Sequence, residues 1–194
     1  VRIPRMFPEP NFVETNGIRM AVYEQGAGDP VIFLHGFPEL AFSWRLQFPA
    51  LAEAGFRAIA PDQRGYGQSS VPPNVKDYGI DRLIGDVLGL LDTLRLERDY
   101  CAAAFAATGF TGAINWYRNW TANWERLAGV PQLVPVPTLF IGAMDDIVVS
   151  PEHIEAMRPY VTDLESHVLE NCGHWSQQEK PGEINRILID WLGS

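Results

Sequence analysis

The nine residues Val31–Glu39 read VIFLHGFPE, four consecutive apolar residues followed by a loop that contains glycine and proline. A short apolar run without polar alternation is typical of a strand buried on both faces of a sheet. Phe56–Ala60 and Thr138–Ala143 are similar runs, and each is followed by a segment with helical features. Alternating buried strands and helices predict an α/β protein with a doubly wound, mostly parallel sheet.

The sequence ahead of the first buried strand predicts an antiparallel hairpin. Asn11–Thr15 and Ile18–Glu24 flank Asn16-Gly17, a dipeptide that favours a two-residue turn between strands. The other predicted elements are helices at Phe42–Glu53, Tyr78–Leu96, Pro151–Met157 and Pro181–Leu192, and a strand at Leu164–Leu169. The long second helix carries one apolar stripe, formed by Leu83, Val87, Leu90, Leu91 and Leu94.

This alternation of strands and helices fails in the middle of the chain. After the second helix a strand should begin near Tyr100, but Cys101–Phe105 reads CAAAF, which favours helix. It leads into Thr108–Leu127, an aromatic segment that we predict to be helical, and Pro135–Pro137 then breaks the chain. Two explanations are open: a helical insertion, or the absence of a block of sequence at Tyr100/Cys101.

Composition and charge exclude several classes of partner. The formal net charge of −9 argues against binding to nucleic acid or an anionic membrane, because both require a basic face. No apolar run approaches the roughly 18 residues of a membrane span, and the first ten residues lack the apolar region of a signal peptide. Cys101 and Cys172 have no metal-ligand spacing and fit a reducing compartment. We expect a cytoplasmic protein without a metal or organic cofactor.

Two acids and a histidine follow neighbouring predicted strands. Asp145 and Asp146 come directly after the strand Thr138–Ala143, and His174 follows the next strand, with a helix between. Because parallel neighbours end at the same edge of a sheet, we expect these side chains to meet. An acid that orients a histidine, which then acts as a base, is two-thirds of a nucleophile–His–acid triad.

Other segments have both a structural and a functional interpretation. A turn directly after a buried strand, as at His35–Glu39, can offer backbone N–H groups to an oxyanion, or be a tight turn in which His35 is structural. The glycine-rich segment Asp62–Ser69 lacks the lysine and spacing of a phosphate loop, and we interpret it as structural. Tyr117 is either a core residue or a phenol that donates a hydrogen bond to a reacting oxygen.

Together these residues resemble the epoxide-hydrolase branch of the α/β-hydrolase fold, in two blocks, from about Phe12 to Tyr100 and from about Cys101 to the end. The first block holds HGFPE at His35–Glu39, SWR at Ser43–Arg45 and DQRGYG at Asp62–Gly67. The second holds GFTG at Gly109–Gly112, NWYR at Asn115–Arg118, Asp146, and GHW at Gly173–Trp175 followed by Gln178, Glu179 and Pro181. The NWYR segment is the most specific, and in the family it belongs to a helical cap.

The resemblance implies the α/β-hydrolase fold, with a mostly parallel doubly wound sheet, an N-terminal antiparallel hairpin and a partial helical cap. Residues 1–100 would form the N-terminal half of the core. Residues 101–130 would be a remnant of the cap, and residues 131–194 the C-terminal part of the core. We expect a monomer or homodimer that acts on a small apolar epoxide.

The implied activity is that of an epoxide hydrolase, which opens an epoxide to a vicinal diol. A carboxylate opens the ring and forms an ester, while cap tyrosines, Tyr117 among them, donate hydrogen bonds to the oxygen. His174, oriented by Asp146, then activates the water that hydrolyses the ester, and the Phe37 N–H stabilises the charge on the ester oxygen. Asp145 is the alternative acid. The implied substrate pocket includes Pro38, Trp116 and Trp175.

The nucleophile is the main departure from the family pattern. The family carries it in a Gly-His-Asp-Trp-Gly elbow, and this sequence contains neither that motif nor Gly-x-Ser-x-Gly. By resemblance, more than a hundred residues are absent at Tyr100/Cys101, including a central strand. Three hypotheses follow: an epoxide hydrolase whose sequence lacks this block, an inactive, internally deleted α/β-hydrolase that acts as a pseudoenzyme or binding module, and a haloacid or haloalkane dehalogenase of the same fold.

Overall fold

The computed structural model describes residues 7–94, 125 and 133–194. The described chain begins with an antiparallel hairpin formed by β1 (Asn11–Thr15) and β2 (Ile18–Gly26). Asn16 and Gly17 make the turn with φ angles of 44° and 76°, a left-handed conformation that glycine and asparagine tolerate best. The predicted hairpin is confirmed, and β2 extends two residues further than expected.

The hairpin belongs to a four-stranded sheet in the order β1-β2-β4-β3, with β3 at Asp29–Ile32 and β4 at Phe56–Pro61. β2 pairs antiparallel with β4, and β3 pairs parallel with β4. The strand predicted at Val31–Leu34 therefore begins and ends two residues earlier, because pairing with β4 already starts at Asp29. It is also half-buried rather than buried on both faces, since among the described residues β3 is an edge strand.

The helix predicted at Phe42–Glu53 is interrupted. The chain forms a 3-10 turn at Ala41–Trp44 and then a separate helix, α1 (Phe48–Glu53). Pro49 lies in the first turn of α1. A continuous helix would need an N–H from Pro49 to the carbonyl of Arg45, and proline has none, so the helix begins next to the proline instead of running through it.

Helix α2 (Ile80–Thr93) is the long helix predicted at Tyr78–Leu96, and a 3-10 turn at Val75–Tyr78 precedes it. Its predicted apolar stripe faces the interior. Leu83, Val87, Leu90 and Leu91 are buried, and Leu94 packs beside them. The stripe therefore attaches α2 to the sheet by burial of apolar surface, as its periodicity predicted.

A buried ion pair joins the hairpin turn, the loop after β4 and α2. Arg64 donates to Asp86 through Nε at 2.7 Å and Nη2 at 2.5 Å, and the two side chains are 4% and 3% exposed. Nδ2 of Asn16 donates to the same carboxylate at 2.8 Å. Gly85 leaves room for this turn, since a Cβ there would lie 2.8 Å from Nδ2 of Asn16.

The second sheet consists of β5 (Val134–Ala143) and β6 (Val161–Leu169), which pair in parallel. β5 starts four residues before the predicted strand and includes Pro135 and Pro137, so the predicted break at these prolines is wrong. The pairing register shifts between Val134 and Pro137. Proline cannot donate to a strand ladder and is tolerated at such irregular positions, so the prolines disturb the register without ending the strand.

Three helices complete the described chain: α3 (Glu152–Met157), the single turn α4 (Ser176–Glu179) and α5 (Pro181–Leu192). α5 has the predicted bounds. Its buried isoleucines pack beneath β5 and β6, whereas Leu188 and Leu192 contact the apolar core of the first sheet. α5 therefore connects the interiors of the two sheets.

The described elements confirm the α/β class, with an N-terminal hairpin, parallel strand pairs and flanking helices. The predicted cap remnant, residues 101–130, lies outside the described residues except for Glu125, and so do Trp116 and Tyr117. Within the described ranges no helix has the length and apolarity to cross a membrane.

We predict that Asp86→Ala lowers the free energy of unfolding by about 3 to 5 kcal/mol, because it leaves the guanidinium of Arg64 buried without its partner. Urea denaturation of wild-type protein and variant measures the loss. The matched control is Glu155→Ala, which removes an ion pair whose side chains are 51% and 72% exposed and should cost less than about 1 kcal/mol. Equal losses for the two variants would contradict a special role for the buried pair.

Candidate active site

The carboxyl ends of β5 and β6 bring an acid and a histidine together. Ala143 and Leu169 are paired at the ends of the two strands, and the N–H of Met144 donates to the carbonyl of Leu169 at 2.9 Å. Just beyond them, Nδ1 of His174 lies 3.0 Å from Oδ2 and 3.1 Å from Oδ1 of Asp146. Two of the three side chains predicted to be catalytic are therefore in contact.

Hydrogen bonds surround the carboxylate of Asp146, which is 9% exposed. The N–H groups of Val148 and Val149 donate to Oδ1 at 2.7 and 3.1 Å, and Nδ1 of His174 lies within hydrogen-bond distance of both carboxylate oxygens. Burial alone would raise the pKa of Asp146, but the two amides and His174 outweigh it and hold the pKa below its usual value. Asp146 is therefore ionised at neutral pH and can only accept hydrogen bonds.

This ionised acid defines the tautomer of His174. Because the carboxylate cannot donate, Nδ1 of the neutral imidazole carries the proton, and Nε2 keeps its lone pair. The side chain of His174 is 42% exposed, and no residue in the described ranges forms a hydrogen bond with Nε2. An imidazole held in this way can take a proton from a water molecule.

Asp145, the alternative acid, supports the loop instead. Its N–H donates to the carbonyl of Cys172 at 2.9 Å, which ties the turn after β5 to the loop that carries His174. Within the described part of the chain, no hydrogen bond or ion pair links the Asp145 carboxylate to His174. The acid in contact with the imidazole is Asp146.

A buried histidine anchors the loop His35–Glu39. His35 is 1% exposed, its Nδ1 lies 3.1 Å from the carbonyl of Gly36, and its Nε2 accepts the N–H of Gln63 at 3.1 Å. The ring of Tyr66 packs edge-on against it at 4.9 Å. Burial lowers the pKa of His35, which fits a neutral ring that donates through Nδ1 and accepts through Nε2. Both nitrogens are engaged, so these contacts favour the structural interpretation.

Phe37 and Pro38 lie exposed on this loop and are joined by a cis peptide bond. The N–H of Phe37 has no hydrogen-bond acceptor among the described residues, so it is available to an oxygen of a ligand. Trp175 is 46% exposed, and its ring centroid lies 5.8 Å from that of His174. Trp116 and Tyr117, the other predicted site residues, lie outside the described residues.

Sequence reasoning missed a polar network that connects this loop with α4. The carboxylate of Glu39 accepts hydrogen bonds from Nε2 of Gln177 at 3.1 Å and from Nε2 of Gln178 at 2.7 Å. Arg45 donates to Oε1 of Gln178 at 3.0 Å, and Gln47 donates to the carbonyl of Gln177 at 2.9 Å. The sequence offered one signal for this network, the polar run QQE that closely follows the candidate histidine. The hydrogen-bond partners of these residues lie more than a hundred positions earlier in the chain, and the run itself does not identify them.

Relatives in sequence are known for this chain. A family model of the α/β hydrolase fold matches residues 29–101. Epoxide hydrolase A of Mycobacterium tuberculosis is 28% identical over 313 aligned positions, which cover 95% of this chain and 97% of that protein. Bifunctional epoxide hydrolase 2 of Mus musculus is 27% identical, and the match covers 91% of this chain but only 54% of the relative, so the chain spans about half of that longer protein.

Solved structures agree with this match. An epoxide hydrolase of Vigna radiata superposes with a TM-score of 0.83 at 24% identity, over 99% of both chains. Epoxide Hydrolase A of Mycobacterium thermoresistibile has a TM-score of 0.77 at 28% identity, over 96% of this chain and 98% of that one. The chain therefore has the α/β-hydrolase fold and is similar in sequence and structure to the epoxide hydrolases of that family.

Proposed function

We propose that this chain belongs to an epoxide hydrolase and that Asp146 and His174 are its water-activating pair. The observation that carries the proposal is the 3.0 Å contact between Nδ1 of His174 and Oδ2 of Asp146, in a chain that is similar over 95% of its length to a protein named epoxide hydrolase. General-base activation of water requires an acid that orients the imidazole and an Nε2 that can accept a proton. Asp146 is such an acid, and Nε2 of His174 has no hydrogen-bond partner among the described residues.

The proposed reaction forms an ester and then hydrolyses it. A carboxylate attacks a ring carbon of a small apolar epoxide and forms an ester, and the carbon–oxygen bond of the ring breaks. The released oxygen accepts a hydrogen bond from the Tyr117 phenol and takes its proton. His174 then removes a proton from water, and the hydroxide attacks the ester carbonyl, whose negative oxygen is stabilised by the Phe37 N–H. The tetrahedral intermediate expels the diol as an alkoxide, which takes the proton from the imidazolium. The carboxylic acid that remains loses its proton, through water, to the Tyr117 phenolate, which regenerates the carboxylate and the phenol. The proposed pocket residues are Pro38, Trp116 and Trp175.

The attacking carboxylate is proposed to lie in a segment that this chain lacks at Tyr100/Cys101. The alignment with the Mycobacterium tuberculosis relative spans 313 positions, whereas the chain has 194 residues, so more than a hundred positions of that alignment have no counterpart here. Apolar side chains near the Asp146 turn also favour a covering segment: Met144, Ile147 and Val148 are 46%, 97% and 54% exposed. Exposed apolar groups of this kind mark surfaces that bind another part of a protein.

A second candidate function is that of a pseudoenzyme or binding module. The observation in its favour is that the sequence contains no Gly-His-Asp-Trp-Gly motif, although it retains an acid–histidine pair. Such a protein would be a folded product of 194 residues that does not turn over epoxides. The dehalogenase alternative has no comparable observation in its support, since the relatives described above are named epoxide hydrolases.

The mass of the natural gene product separates these two candidates. We predict that the protein purified from its native host has a larger mass than the 21.7 kDa of this sequence. The difference should correspond to more than a hundred additional residues. Intact-protein mass spectrometry measures it, and peptides that span Tyr100 and the inserted segment provide the control. A native product of 21.7 kDa without hydrolase activity would instead support the pseudoenzyme.

We also predict that His174→Gln traps the ester in a protein whose missing segment has been restored, for example by insertion of the corresponding part of the Mycobacterium tuberculosis relative at Tyr100/Cys101. The restored protein should convert styrene oxide to its diol. The His174→Gln variant should lose roughly a hundredfold or more in turnover and gain the mass of one styrene oxide in intact-protein spectra. The control His153→Gln, at an exposed histidine of α3, should turn over without accumulating an adduct. Unimpaired turnover by a folded His174→Gln variant would refute the assignment.

Acid titration of the present chain tests the state of Asp146. Because the pKa of Asp146 is lowered in the folded state, its ionisation stabilises the fold fully above the usual value of 3.8 and ceases to do so as the pH falls through the lower folded value. The difference in free energy of unfolding between wild type and Asp146→Asn should therefore shrink in that range. Urea denaturation at several pH values measures it, with Asp190→Asn, at an exposed site on α5, as the control. If the difference in free energy of unfolding between wild type and Asp146→Asn did not change with pH, the pKa of Asp146 would not be lowered by folding, and the prediction would be wrong.

A further inference from the structure

His174 is presented by an irregular loop, so its orientation depends on what holds the backbone there. β6 ends at Leu169 and α4 begins at Ser176, which leaves His174 between the two elements. Asp146 is the only hydrogen-bond partner of the imidazole in the described ranges, and the side chain of His174 is 42% exposed. A half-exposed ring held by one hydrogen-bond partner can rotate away from it. The backbone of His174 must therefore have a fixed conformation if the ring is to stay in contact with Asp146.

The carboxylate of Glu179 bridges the two amides that flank His174. Oε2 of Glu179 accepts the N–H of Gly173 at 2.8 Å, and Oε1 accepts the N–H of Trp175 at 3.3 Å. Hydrogen bonds to an ionised acceptor are stronger than those between neutral groups. Because Gly173 and Trp175 are bonded directly to His174, fixing both amides restricts the backbone torsions that aim the imidazole.

Glu179 is well placed to act as a clamp because its own helix is fixed. The glutamines of α4 are hydrogen-bonded to Glu39, Arg45 and Gln47, as described above. Within the described ranges no cation is paired with Glu179, since the adjacent Lys180 lies 3.4 Å from a different acid, Glu183.

Two observations indicate that the carboxylate of Glu179 stabilises the loop that carries His174 and does not serve only to cap α4. The bond to Trp175 resembles the return bond of a helix capping box, but the bond to Gly173 reaches beyond the helix into the loop. The absence of a side chain at Gly173 also matters, because a Cβ there would lie 3.1 Å from Oε1 of Glu179. Glycine thus permits the close approach of the carboxylate.

We infer that Glu179 is a positioning residue: by clamping the amides of Gly173 and Trp175, it holds the imidazole of His174 against Asp146. It acts through His174 and touches no reacting atom. The importance of this role rests on the proposed function, whereas the clamp itself can be tested without any epoxide.

Nuclear magnetic resonance of the 194-residue protein provides the test. Replacement of Glu179 by glutamine leaves an amide that can accept only one of the two bonds, so hydrogen exchange at Gly173 and Trp175 should accelerate by roughly tenfold. The imidazole should then leave Asp146. Since the hydrogen bond from His174 helps to lower the pKa of Asp146, this pKa should rise in Glu179→Gln, as followed by the carbon signal of the carboxyl group. The control Glu155→Gln removes an exposed acid on α3 and should change neither quantity.

The same substitution of Glu179 in a variant without His174 distinguishes a positioning role from a general effect on the structure. In His174→Ala there is no imidazole to position, so adding Glu179→Gln should leave the pKa of Asp146 unchanged. An equal rise in both backgrounds, or no rise in the wild-type background, would overturn the inference. If Glu179→Gln does not fold, Glu179→Asp replaces it: this variant keeps the charge but is too short to span both amides, so the pKa of Asp146 should again rise. A folded Glu179→Asp variant with the wild-type pKa would contradict the clamp.

The two proposals can fail separately. If the His174→Gln variant of the restored protein forms no ester adduct, the proposed function is wrong. The titration of Asp146 and the amide exchange at Gly173 and Trp175 still report whether the clamp exists. Conversely, an unchanged Asp146 titration in Glu179→Gln removes the clamp and leaves the ester-trapping result intact.

Discussion

The parallel pairing of β5 with β6 is the constraint on which the candidate site depends. It places the ends of both strands at one edge, with Ala143 opposite Leu169. The loops that follow are then close enough for the N–H of Asp145 to reach the carbonyl of Cys172 and for Asp146 to contact His174. Parallel strands bring the residues after their carboxyl ends together whatever their separation in sequence, so this one register creates the acid–histidine pair.

Helix α4 couples this pair to the rest of the molecule. Its glutamines bind Glu39 in the loop that also carries the N–H of Phe37, which has no acceptor in the part of the chain that the structure describes. Glu179 binds the amides on either side of His174. A single helical turn therefore sets both the proposed base, His174, and the candidate oxyanion donor relative to the strand ends. In the proposed chemistry these two groups act on the same ester, so a common support would keep their separation constant during the reaction.

The sequence predicted elements well where one local pattern governs them. The hairpin at Asn16-Gly17 and α5 at Pro181–Leu192 agree with prediction, because a turn dipeptide and an amphipathic stripe act within a few residues. Prediction failed where backbone hydrogen bonding decides the limits of an element. Pro49 split a helix, Pro135 and Pro137 were accommodated in β5 by a register shift, and the limits of β3 follow from its pairing with β4. The split at Pro49 follows from the missing N–H of proline, and the other two outcomes depend on pairing with strands that are distant in sequence. Hydrophobic periodicity records neither cause.

For the site, the sequence by itself determined the residue types, their order along the chain and their place after strands, and these were enough to predict that Asp145 or Asp146 would meet His174. Only the tertiary structure decided between Asp145 and Asp146, because adjacent residues in a turn point in different directions and one alone faces the imidazole. The structure alone also revealed the contacts of Glu39 with the glutamines of α4 and of Glu179 with the loop. The hydrogen-bond partner of a side chain is set by the three-dimensional packing of the chain. A polar run such as QQE has no local sequence pattern from which that partner can be predicted.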